Sequence, residues 1–178
     1  MSDERRDADQ LAATFSDPAD ALSRLNAYCW FGQAERVYFN AREQLTIDVS
    51  IHDFSGSEGA TLAQRWFGYQ RANDLHLQQE VKTRAQLEEE LNDAGLGKVN
   101  IETLDDVVIY ALYNGTEYTL YARRDPDTGI QNGSPLPSNI LVRVSVSGGT
   151  TASGMSRQVV AYQILADIFG VDLFPPRE

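Results

Sequence analysis

Apolar and polar residues alternate most regularly in two stretches of the chain. Leu45, Ile47, Val49 and Ile51 fall on one side of the first, with Thr46, Asp48, Ser50 and His52 on the other. In the second, Ile140, Val142, Val144 and Val146 alternate with Leu141, Arg143, Ser145 and Ser147. A period of two marks a strand with one side in the core, and its polar side is expected in water. Between them, Val107–Tyr113 and Thr116–Arg123 flank Asn114-Gly115, the pair favoured in a two-residue type I′ turn, which predicts a β-hairpin. The first hairpin strand is apolar on both faces, so another part of the chain or a second subunit must cover the further one. Val37-Tyr38-Phe39 reads as a shorter strand, and Leu75, Leu77 and Val81 alternate well enough for another.

Helical spacing predicts three helices, two of them behind a start signal. Asp17-Pro18 is a sound cap and first-turn pair, and Leu22, Leu25 and Cys29 follow it, which predicts a helix near 18–31 stopped by Gly32. Thr83-Arg84-Ala85-Gln86 has the form of a capping box, and Leu87, Leu91 and Ala94 give a stripe over 84–94 ending at Gly95. Val160, Ile164, Leu165 and Ile168 predict a last helix over 155–169. Residues 54–59 read as a loop. Residues 61–81 carry Trp66, Phe67 and Tyr69 without a clear period, and 125–139 is a long turn-rich connection.

The order of these elements gives an α+β fold class: an antiparallel, or mixed, sheet of five to six strands with about three helices packed mainly on one face. The chain has 178 residues, a length that fits one domain. Residues 1–15 are polar and read as a flexible acidic N-terminal extension, with 16–174 as a single α+β domain.

Composition narrows the function classes. The net charge is −11, so nucleic acid is not expected as a partner, and an anionic membrane surface is disfavoured for the same reason. No apolar run reaches the length of a membrane span, and the charged start is no secretory signal, which makes the cytoplasm, or a virion, the expected location. Thirteen Arg stand against two Lys, a hint of a halophilic or viral source or a high-GC genome. The single cysteine, Cys29, excludes an intrachain disulfide and reads as a buried thiol. Asn114-Gly115-Thr116 and Asn132-Gly133-Ser134 match the glycosylation sequon but read as turns.

Candidate chemistry is sparse. Gly149–Ser156 match the phosphate-loop pattern G-x-x-x-x-G-K-[ST] except that Met155 stands where the lysine belongs. Gly148, Gly149, Thr150, Ser153, Gly154, Ser156 and Arg157 therefore form a candidate anion-binding loop between a strand and a helix. His52 and His76 lack metal-ligand spacing, and His52 is expected on a wet strand face. Tyr110, Tyr113, Tyr118 and Tyr121 crowd the hairpin and are candidate interface residues, since tyrosine is enriched where proteins meet. No catalytic residue, metal site or cofactor is assigned.

The sequence favours a non-catalytic binding or assembly protein, a subunit of a homo-oligomer or larger complex such as an accessory or virion or tail-connector-like component. Its partner would be another protein or a second copy. Two alternatives stand beside this reading: a small phosphate- or nucleotide-binding protein using residues 148–157, and an acidic inhibitor of a nucleic-acid-binding protein.

Overall fold

The computed structural model describes residues 2–75, 78–81, 106–113, 116–126, 136–149 and 157–170. In chain order the elements are β1 (Ser2–Arg6), α1 (Ala8–Ala12), α2 (Pro18–Ala27), β2 (Trp30–Asn40), β3 (Leu45–Phe54), α3 (Ser57–Leu75), β4 (Gln78–Val81), β5 (Val107–Tyr113), β6 (Glu117–Arg124), β7 (Ile140–Gly148) and α4 (Arg157–Phe169). The strands form one seven-stranded sheet in the order β1-β2-β3-β7-β6-β5-β4. Every pairing is antiparallel. The α+β class and antiparallel sheet agree with the sequence pattern, and three of the four described helices lie on one face. The predicted helix 84–94, the Asn114-Gly115 turn and most of the 125–139 connection fall outside the described residues.

The N-terminus departs from expectation. Residues 2–15, read as part of a flexible extension, instead add an edge strand and a capped helix. Asp7 Oδ1 accepts from the Gln10 amide at 2.9 Å while Gln10 Oε1 accepts from the Asp7 amide at 2.9 Å, a reciprocal capping box. The charges that suggest disorder are matched across the ladder: Arg36 Nε and Nη2 donate to the two Asp3 oxygens at 2.7 and 2.8 Å. A polar segment can be a strand when its neighbour carries the opposite charges.

Other boundaries move for local reasons. The first predicted helix stops at Ala27, because Cys29 takes a left-handed φ of 53° that turns the chain into β2. Cys29 is accordingly exposed, not buried. Residues 57–75, read as loop and then as undecided, form α3. Its buried side is built from Ala60, Ala63, Gln64, Trp66 and Phe67, too few aliphatics to give a helical stripe. Gly59 lets this helix press against the end of α2, where an added Cβ would meet Tyr28 O at 2.1 Å.

The hairpin is present with a different register. Tyr113 pairs with Tyr118, so the connection is four residues, 114–117, and not two. β6 runs past β5 to pair Glu117 with Ser147 of β7, which commits those residues to the next ladder.

Strand parity separates two cores. Val107, Ile109 and Ala111 of β5, Tyr118, Leu120 and Ala122 of β6, and Val142, Val144 and Val146 of β7 pack under Ala161, Tyr162, Leu165 and Phe169 of α4. On the opposite face, Leu112, Tyr121, Leu141 and Phe54 meet Leu11 of α1, Leu25 of α2, and Trp66 and Phe67 of α3. The doubly apolar β5 is thus buried on both faces within this chain, with α3 against one of them. Gln64 fixes α3 in place: its Nε2 donates to Val108 O at 2.7 Å and to Tyr121 O at 2.8 Å, while its Oε1 accepts from Arg123 Nε at 3.0 Å.

Candidate functional site

The polar residues of the two alternating strands do not face water. Asp48, Ser50 and His52 of β3 and Arg143 and Ser145 of β7 share the face that α1 and α3 cover. Arg143 Nη2 donates to Glu35 Oε1 at 2.7 Å and also to Asp48, and Arg6 Nη2 reaches the other Glu35 oxygen at 2.9 Å. Burial, and then the neighbouring Asp48 carboxylate, push the Glu35 carboxyl above its ordinary range, against the pull of Arg143 and Arg6. Nearby, Glu117 accepts from Arg71 Nη2 at 2.9 Å, Thr119 Oγ1 at 2.8 Å and Ser145 Oγ at 2.9 Å. Burial would raise this carboxyl, but those hydrogen bonds prevail and hold it below the usual range.

His52 sits among these charges with 3% exposure. Trp30 Nε1 donates to its Nδ1 at 3.4 Å, and its Nε2 lies 3.2 Å from Ser50 Oγ. A Ser–His pair at that distance invites a reading as nucleophile and base. Two facts oppose it. The indole N–H on Nδ1 places the ring proton on Nε2, which then donates to the hydroxyl and cannot accept from it. Burial, reinforced by the Arg143 and Arg6 charges, also lowers the imidazole to about 3, so it stays neutral at physiological pH. The pair is structural.

Between this face, α1 and α3 lies a cavity of about 200 Å³. Arg6, Gln33, Arg71 and Arg143 contribute polar groups to its wall, and Leu11 and Phe67 an apolar side. Among the described residues no three His, Cys, Asp or Glu side chains are placed to hold a metal ion.

A second concavity lies across the sheet. On that side α4 packs on β6 and β7, and among the described residues no helix covers β1, β2 and β3. The result is an open groove of about 810 Å³ with a floor of Ile47, Val49 and Ile51 and one wall of Ile164 and Ile168. Its rim carries charges of both signs, Asp3 and Glu4 with Arg5 and Arg36. Tyr38, 38% exposed, stands at its edge.

The residues singled out from sequence are placed as follows. Tyr118 is buried beside Tyr162 of α4 with ring centroids 6.2 Å apart, and Tyr121 is buried against Phe67 of α3 at 6.2 Å. They point to opposite faces of the sheet and serve the two cores, which explains the crowding without an interface. Tyr110 is half-buried beside the second core, and the Tyr113 side chain lies outside the described set. In the glycine-rich loop, the Gly148 amide donates to Thr116 O at 3.2 Å and the Gly149 amide to Gln44 O at 3.1 Å. Arg157 Nη1 donates to Gly148 O at 2.7 Å. Two of the amides expected to converge on an anion are therefore engaged within the fold. Gly148 is needed for another reason: its φ is +102°, and a Cβ there would meet Gln44 O at 2.1 Å. Thr150, Ser153, Gly154 and Ser156 lie outside the described residues.

Both concavities escaped the sequence reading. The groove could have been suspected from Ile47, Val49 and Ile51 outnumbering the helices available to cover them. The cavity carried one signal, Arg143 as the single charged residue of β7. Comparison with models of known protein families gives no match, and comparison with curated proteins gives none either. No described helix is long and apolar enough to cross a membrane.

Proposed function

We propose that this chain is a non-catalytic assembly protein that docks its groove face against the same face of a second copy. The observation that carries this reading is the β1–β3 face, which no described helix covers and which presents Ile47, Val49 and Ile51 beside Ile164 and Ile168. Exposed apolar patches rimmed by polar groups mark interaction sites in monomeric folds. A second copy suits it because the rim holds acids and arginines together, Asp3 and Glu4 beside Arg5 and Arg36. A two-fold axis through such a rim can set each acid against an arginine of the other copy. The edge of β1 is a poorer site for pairing, being short and charged, a usual defence against edge-to-edge association.

The overall charge of −11 opposes self-association at long range, and salt screens that repulsion while leaving apolar contact intact. Absolute mass by light scattering coupled to size exclusion should therefore show a dimer that tightens in molar KCl. Val49→Asp, at the centre of the groove floor, should give a monomer with unchanged circular dichroism. A monomer at both salts and at high protein concentration would remove the proposal.

A further inference from the structure

The groove over β1–β3 is ordered row by row along its length. Arg5 of β1 stands opposite Ala34 of β2, and Ala34 opposite Ile51 of β3. Asp3, Arg36 and Val49 make the next row, and Tyr38 with Ile47 the last. From Ile51 to Ile47 the floor runs roughly 13 Å at ~3.4 Å per residue. Ile164 and Ile168 of α4 wall it on one side. Its 810 Å³ holds about 27 non-hydrogen atoms at ~30 Å³ each, the share of one water in the liquid.

The charges at the rim differ from row to row. Asp3 is taken by Arg36, whose Nε and Nη2 donate to both carboxylate oxygens. Glu4 and Glu35 both hold Arg6, which alternates in β1 to the other face of the sheet. Arg5 has no ion pair among the described residues, and its neighbour Ala34 is small and exposed. The first row therefore sets an uncompensated cation over an open place. On a chain of net charge −11, this end of the groove is locally cationic. An apolar channel with one cation at its end is complementary to a hydrocarbon chain with one anion at its end.

We propose that the groove binds a free long-chain alkyl carboxylate, with its carboxylate on the Arg5 guanidinium and its chain laid over Ile51, Val49 and Ile47 toward Tyr38. Burial of the chain supplies most of the affinity, and the exposed pair with Arg5 sets its direction. The proposal rests on the dimer reading in one respect. Two concave faces brought together by a two-fold axis enclose a space that neither fills, and the alkyl chains of two ligands occupy it.

The test uses the whole chain, with decanoate, octanoate and decyltrimethylammonium compared by calorimetry below their micelle concentrations and light scattering on the same samples. Decanoate should bind saturably, one per chain. Octanoate, two methylenes shorter, should bind roughly tenfold more weakly. The cationic decyl compound should bind about fivefold more weakly or worse, and Arg5→Met should erase that preference. Ala34→Trp, at an exposed position, should abolish binding while leaving circular dichroism unchanged. The proposal is overturned if decanoate does not saturate, if anion and cation bind alike, or if binding survives in Ala34→Trp. A dimer that takes up no decanoate overturns it and leaves the dimer reading standing. Arg5-dependent binding to a chain that stays monomeric upholds the ligand and removes the dimer.

Discussion

The two faces of the sheet are buried by opposite chemistry. Under α4 the strands present Ile109, Leu120, Val142, Val144 and Val146, with Leu165 and Phe169 closing over them, an aliphatic and aromatic core held by area alone. Under α1 and α3 the sheet presents Ser50, His52, Thr119 and Ser145 with Arg143 and Glu35, and every one of these positions is shielded. Alternation with a period of two says which residues share a face. Whether the polar face is wet depends on what the rest of the chain lays over it. Here the aromatic side of α3 covers it, and Arg143, Glu35 and Asp48 pair with one another, as do Glu117, Thr119 and Ser145.

The comparison is broken most severely at Arg143. Arg143→Met strands Glu35 and Asp48 without their shared cation, and loss of one partner of a buried ion pair costs about 3–5 kcal/mol. That loss should shrink as pH falls, because the Glu35 carboxyl, already raised by burial, can then become neutral. Chemical denaturation of the variant at pH 7 and pH 5 reads both effects.

Next in size is the dry face. Leu165→Ala, at a fully buried position, should cost about 2–5 kcal/mol by the same measurement. Its cost should not change between pH 7 and pH 5, since no ionisable group is involved. Equal pH dependence in the two variants would erase the distinction between the faces.

A smaller effect isolates His52. Its folded pKa lies below the free value of 6.5, at about 3, so the unfolded chain takes up a proton that the folded chain refuses. Stability should therefore be full above pH 6.5 and fall by about 1 kcal/mol per pH unit below it. The lowered carboxyl of Glu117 adds loss in the same direction below its free value of 4.5. The raised Glu35 carboxyl acts oppositely, relieving strain as it protonates. His52→Phe should flatten the limb between pH 6.5 and 4.5; an unchanged slope would mean that His52 is protonated inside the fold. The smallest effect belongs to the exposed rim: Arg36→Ala breaks the bidentate pair with Asp3, yet Tm should not shift measurably, because water serves both groups.

Legibility followed the range of the interactions. The hairpin, the Asp17-Pro18 helix start and α4 rest on neighbours a few residues apart, and all three could be read directly. β1 could not, because the strand it pairs with lies 33 residues away in sequence, as the pairing of Asp3 with Arg36 illustrates. α3 was hidden by its own chemistry. A helix that buries alanines, a glutamine and two aromatic rings leaves no aliphatic stripe. The tyrosines misled in the other direction, since their clustering in sequence becomes separation in space when strand parity sends Tyr118 and Tyr121 to different faces.

By itself the sequence determined the α+β class, the antiparallel pairing of its central strands and the set of residues on each strand face. Those follow from side-chain periodicity, a property of the backbone that needs no partner. The tertiary structure decided that the polar face is interior, that His52 is neutral, that two glycine amides are already bonded, and that no described helix covers one half of the opposite face. These depend on which segments meet across the fold, and burial and charge act on a side chain through whatever is packed against it, however distant in sequence.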